Sequence, residues 1–86
     1  MSIEEKFKTN NLIMQSKIKE EIEKVMNEKS CKNLNQLNII LDELNKMLEK
    51  KQLPVNFPRF IVDSWDYQDK LGLELLDLVS LYKKWN

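Results

Sequence analysis

Asn33-Leu34-Asn35-Gln36-Leu37-Asn38-Ile39-Ile40-Leu41-Asp42-Glu43-Leu44-Asn45-Lys46-Met47-Leu48-Glu49 is the stretch on which the fold class turns. At about 100° per residue, Leu34, Leu37, Ile40, Leu41, Leu44, Met47 and Leu48 gather on one side of a helix, with Asp42, Glu43, Lys46 and Glu49 opposite. Asn33 stands where an N-cap is needed, and Gln36 follows three residues later, so the start is also written locally. Lys50 and Lys51 sit favourably at the negative end. Two heptads are too few for an extended coiled coil, so this face is expected to pack within a bundle.

Upstream, Ser2 and Glu5 form a capping-box pattern at the head of a second apolar stripe: Ile3, Phe7, Met14, Ile18, Ile22 and Val25, with Met26 at its edge. The stripe crosses Thr9-Asn10-Asn11 without changing phase. It predicts one helix from residue 3 to about 28, with a break near Asn10 as the alternative, because Thr and Asn are weak helix formers. Leu12 and Ile13 fall off the stripe; they are expected to touch a second neighbour in the bundle, or else to form an exposed contact. Residues 30 to 33 make a short polar connection.

Downstream, Leu53-Pro54-Val55-Asn56-Phe57-Pro58 is a loop, since each proline forbids a continuing helix and pushes its predecessor toward extended backbone. Pro58 then suits the first turn of a new helix. Phe60-Ile61-Val62-Asp63-Ser64-Trp65 has the composition of a strand but no strand to pair with, so a short helix is expected. A last helix from near Asp69 to about Trp85 carries Leu71, Leu75, Leu78, Tyr82 and Trp85 at alternating spacings of four and three. Leu76 and Val79 widen that arc beyond what one neighbour covers. The helix is therefore central, or part of its face is buried by a second subunit. Gly72, on its flank, permits a close helix approach. The expected architecture is all-α: a small helical bundle of three long helices plus a short helix after a Pro-containing loop, with residues 1–86 forming one domain.

With 86 residues, 33% charged side chains and zero net charge, the chain builds a modest core and lacks the positive surplus by which phosphates are held. No nucleic-acid partner is expected. Nor does any stretch approach the run of about 20 apolar residues that spans a membrane, and no signal-peptide pattern opens the chain. The lone Cys31 lies among Lys29, Ser30 and Lys32, which suggests a reduced loop thiol and a cytoplasmic protein. Lysine and asparagine abound while alanine is missing, the mark of an AT-rich genome, and against that bias Arg59 is the only arginine.

Six of the seven aromatic side chains lie between Phe57 and Trp85, and residues 58 to 77 hold Asp63, Asp66, Asp69, Glu74 and Asp77 against only Arg59 and Lys70. Such a locally acidic, aromatic segment suits a basic protein partner; Phe57, Phe60, Trp65 and Tyr67 either plug the open end of the bundle as core or serve as surface anchors, or divide, with Phe57 and Phe60 inside and Trp65 and Tyr67 outward. Asp63, Asp66 and Asp69, three apart, do not match an EF-hand, and caps explain Asp66 and Asp69 without an ion. No metal or cofactor is expected. The chain has no histidine, phosphate-binding glycine loop or nucleophile motif, so no enzyme activity is expected either. Arg59 is placed to pair with Asp63 one turn on. The expected partner-binding set is thus Arg59, Asp63, Trp65, Asp66, Tyr67 and Asp69.

In size, neutrality and architecture the chain resembles small bacterial immunity proteins and antitoxin-like inhibitors. What that likeness implies is a non-catalytic protein that binds a macromolecular partner through residues 57–67. The alternative expectation is a structural homodimer or assembly subunit using the leucine-rich C-terminal helix.

Overall fold

Ser2 Oγ accepts the Glu5 amide at 3.1 Å and opens α1 (Ile3–Met26) in the computed structural model, which describes residues 2–50, 53–66 and 68–85. α1 runs unbroken through Thr9-Asn10-Asn11. The reason is tertiary: Asn11 is fully buried, its Nδ2 donates to the Leu44 carbonyl at 3.0 Å, and Gln15 Nε2 donates to Asn11 Oδ1 at 2.6 Å. A satisfied buried amide outweighs a few tenths of a kcal/mol of poor helix propensity. The helix ends two residues earlier than the stripe implies. Glu28 takes a left-handed φ of 59°, its amide donates to Val25 and that of Lys29 to Lys24, a complete Schellman stop.

α2 (Leu34–Glu49) starts at Asn33, whose Oδ1 accepts the Gln36 amide at 3.1 Å, as the sequence leads one to expect. α3 (Phe57–Ser64) begins with Pro58 in its first turn, and α4 (Lys70–Lys84) is capped by Asp69. Among the described residues there is no strand. The four helices share one buried cluster: Phe7, Met14 and Ile18 from α1; Leu37, Ile40, Leu44 and Met47 from α2; Phe57 and Ile61 from α3; Leu75, Leu78 and Tyr82 from α4. α1 lies against α2 and α4, while α3 lies against α2 and α4.

Three expectations are corrected. Ile3 and Met26, assigned to the apolar stripe, are 44% and 70% exposed. α1 has 24 residues, about 36 Å, and overhangs neighbours of 16 and 15 residues, about 24 Å, at both ends. Leu12 and Ile13 are not buried by a second neighbour and stay 56% and 48% exposed, Ile13 at the edge of the groove between α1 and α4. Glu43, placed on the solvent side, instead accepts the Asn56 and Phe57 amides at 2.9 Å. It supplies from another helix the cap that α3 lacks, Asn56 making no side-chain cap of its own.

Tyr82 fixes the loop between α2 and α3. Its hydroxyl donates to the Lys50 carbonyl and accepts the Leu53 amide at 2.9 Å. Its ring lies 5.0 Å from Phe7, which in turn stacks on Trp85 at 5.4 Å. The first and last helices and the proline loop are thereby joined at one end of the bundle.

Candidate functional site

The segment singled out by the sequence sits at the other end, where the α1–α2 and α3–α4 connections meet. α3 runs antiparallel to α2: Phe57 lies at Glu43, and Trp65 reaches Gln36, to whose Oε1 its indole Nε1 donates at 3.2 Å. Phe57 and Ile61 point into the core one turn apart, and Trp65 continues that line. Phe57 is fully buried and Phe60 half-buried, as expected. Trp65, for which the sequence leaves both a core and an outward placement open, is half-buried against the core, with the Lys32 ammonium 5.2 Å from its ring centroid. Gly72 makes room for it. A Cβ there would stand 3.0 Å from Ile61 Cγ2 and 3.2 Å from Trp65 Cε3, so a side chain would require both of these α3-side groups to give way.

Asp69 is likewise committed to the fold. Its Oδ1 accepts the Leu71 and Gly72 amides at 2.9 and 3.3 Å, and its Oδ2 lies 2.8 Å from Lys32 Nζ. Lys32 also stands 3.6 Å from Glu21, which accepts the Ser30 hydroxyl at 2.6 Å. Partial burial works against the Asp69 carboxylate, yet the Lys32 hydrogen bond and charge and the two helix amides outweigh it and hold the group below the usual carboxylate range. Burial also opposes the Lys32 ammonium, and Asp69 with Glu21 more than offsets this, so Lys32 titrates above its ordinary value.

Those directions fix a pH window. A depressed Asp69 contributes stability above about pH 4, lost as pH falls through its folded value; a raised Lys32 contributes below about pH 10.5, lost as pH rises through its folded value. Asp69→Asn keeps a capping oxygen and removes the charge. It is expected to lower stability by about 1 kcal/mol at pH 7, with the gap to wild type closing below about pH 4, in urea titrations at several pH values. A gap that persists unchanged at pH 2 contradicts this role.

The remaining members of the expected set diverge. Asp66 accepts the Gln68 amide at 2.9 Å and faces solvent. Arg59 and Asp63 are both exposed, and among the described residues they form no ion pair with each other, contrary to the one-turn pairing expected. Tyr67 lies outside the described residues. Among those described, no three acidic or thiol side chains converge as a cation would require.

Sequence reasoning overlooked Lys32, Gln36 and Val62. The first two carry no local signal for partners some thirty residues away. Val62 does: with Phe57 and Ile61 inward at a spacing of four, the helical wheel sends Arg59, Val62 and Asp63 outward together, and Asp66, past the helix end, is exposed as well. Val62 is 71% exposed. Between the α1–α2 connection and the turn after α3 lies a cleft of 370 Å³, lined in part by Lys32, Gln36, Trp65, Asp66 and Asp69. No helix among the described residues is long and apolar enough to cross a membrane. No protein-family model, curated protein or solved structure matches the chain.

Proposed function

We propose that the protein acts without catalysis, by binding another protein through the outer face of α3 and the turn after it: Arg59, Val62, Asp63 and Asp66. The observation that carries this reading is Val62, an aliphatic side chain left 71% exposed on an eight-residue helix, with a cation three residues before it and carboxylates beside and beyond it. A small apolar anchor inside a charged rim is the arrangement protein interfaces use. The local excess of aspartate suits a partner with a basic patch, which steers encounter and fixes orientation. Neutralising a basic toxin, as an immunity protein or antitoxin does, is the form of this function that size and charge favour, in a cytoplasmic setting.

Trp65 and Asp69 leave the proposed contact set and become its supports: Trp65 holds the end of α3 on α2 and α4, and Asp69 caps α4 and ties it to Lys32. The leucine-rich side of the C-terminal helix is largely taken up by the chain's own core, with Leu75 and Leu78 buried and Leu71, Leu76 and Leu81 half-covered, so a homodimer would have to use the more polar flank of that helix.

Val62→Asp combined with Asp63→Lys tests the reading. Both positions are exposed, so the variant is expected to melt within about 4 °C of wild type. Capture of the basic partner that wild type retains on a column is expected to fall at least tenfold, about 1.4 kcal/mol or more. Undiminished capture of the same partner by a folded variant removes α3 as the binding face.

A further inference from the structure

We infer that the groove between α1 and α4 is the contact face of a homodimer in which Lys84 of one chain meets Asp77 of the other. This face is separate from the outer side of α3 and does not depend on the function proposed for it.

α1 and α4 run antiparallel: Lys17 pairs with Glu74 toward one end, and Phe7 stacks on Trp85 toward the other. The groove between them, 510 Å³ in volume, is lined by Lys6, Ile13, Asp77, Ser80, Leu81 and Lys84 among others. Its charges are segregated. Lys6 and Lys84 share one end, and Asp77 lies two helical turns away on the same stripe of α4, about 10 Å along the axis. Among the described residues none of these three has an ion-pair partner. Between the charged ends lie Ile13, 48% exposed, and the small Ser80.

That layout is self-complementary under a twofold axis, the symmetry of most homodimers. An axis crossing α4 between Ser80 and Leu81 is midway between Asp77 and Lys84. The register set by Phe7 with Trp85 and Lys17 with Glu74 puts that crossing level with Asn10 and Asn11 on α1. The axis sets Lys84 opposite Asp77 of the partner subunit, twice per dimer, and lays Ile13 against α1 of the partner subunit. Ser80 at the crossing lets the two copies of α4 approach. A second copy is the occupant this charge layout fits, because its Asp77 and Lys84 meet the Lys84 and Asp77 that have no ion-pair partner within the described residues.

The apolar part of this face is small beside the roughly 800 Å² per partner of a standard interface, so the dimer is expected to be weak, with dissociation in the range of about 10 to 500 µM. Sedimentation equilibrium at low salt, from about 10 µM to 1 mM chain, is expected to show reversible dimers that weaken as salt is raised. Asp77→Lys alone, or Lys84→Glu alone, places like charges together twice and is expected to weaken association about tenfold or more. Asp77→Lys combined with Lys84→Glu restores the pairing and is expected to recover wild-type association within about threefold. Both side chains changed are exposed, and circular dichroism verifies that each variant is folded. Wild type that stays monomeric up to about 1 mM, a dimer indifferent to single reversal, or failure of the double variant to recover each overturns the inference.

Discussion

Truncating Phe7 to alanine is expected to lower the melting temperature by roughly 15 to 30 °C, the largest effect of any single change considered for this chain. Phe7 is fully buried and stands between the Tyr82 and Trp85 rings at 5.0 and 5.4 Å. Removing a buried phenylalanine costs about 3 to 5 kcal/mol, the transfer term plus the cavity left behind. An 86-residue domain holds only about 4 to 13 kcal/mol in total, so one side chain carries a large share. The loss also reaches the loop before α3, because Tyr82 holds the Lys50 carbonyl and the Leu53 amide only while its ring is fixed. Thermal unfolding followed by circular dichroism checks this; a drop below about 5 °C contradicts the aromatic joint between the chain's two ends.

Trp65→Ala comes second, at about 2 to 3 kcal/mol and roughly 10 to 20 °C. Full burial of a tryptophan would make the change costlier; half-burial reduces it. Three contacts are lost together. The indole fills the space that Gly72 leaves on α4, donates to Gln36 on α2, and lies under the Lys32 ammonium. Its removal frees the C-terminal end of α3, while Glu43 still caps the other end. Proteolysis is expected to cut the variant first in residues 62–68, since a loosened turn is where chains are nicked.

Much of the fold was legible because its signals are local. Ser2, Asn33 and Asp69 cap the helices they precede, as their positions alone suggest, and the apolar phase from Leu37 to Leu48 identifies the inner side of α2, while Leu34, assigned to the same face, is exposed in the helix's first turn. Gly72 was correctly placed at a close approach. The site was half legible. Phe57, Ile61 and Trp65 are spaced by four and so share an inward line, yet the aspartates around Trp65 argued for an outward anchor, and in this case spacing decides over neighbourhood. Asp69 illustrates what one strand of sequence cannot carry. Its partner Lys32 comes 37 residues earlier, and only the meeting of two loops at one end of the bundle joins them. Glu43 over the start of α3 and Asn11 on the Leu44 carbonyl are of the same kind, polar side chains whose purpose is set by another helix.

The central claim is that α3 has a structural side ending in Trp65 and a free side centred on Val62. Melting temperatures of Trp65→Ala and Val62→Asp, taken together under one set of conditions, test it most directly. The expected result is a fall of at least about 10 °C for the first and less than about 4 °C for the second, although the second introduces a charge. Equal losses, or the larger loss at Val62, would show that the outer face of α3 is part of the fold and has no surface to offer a partner.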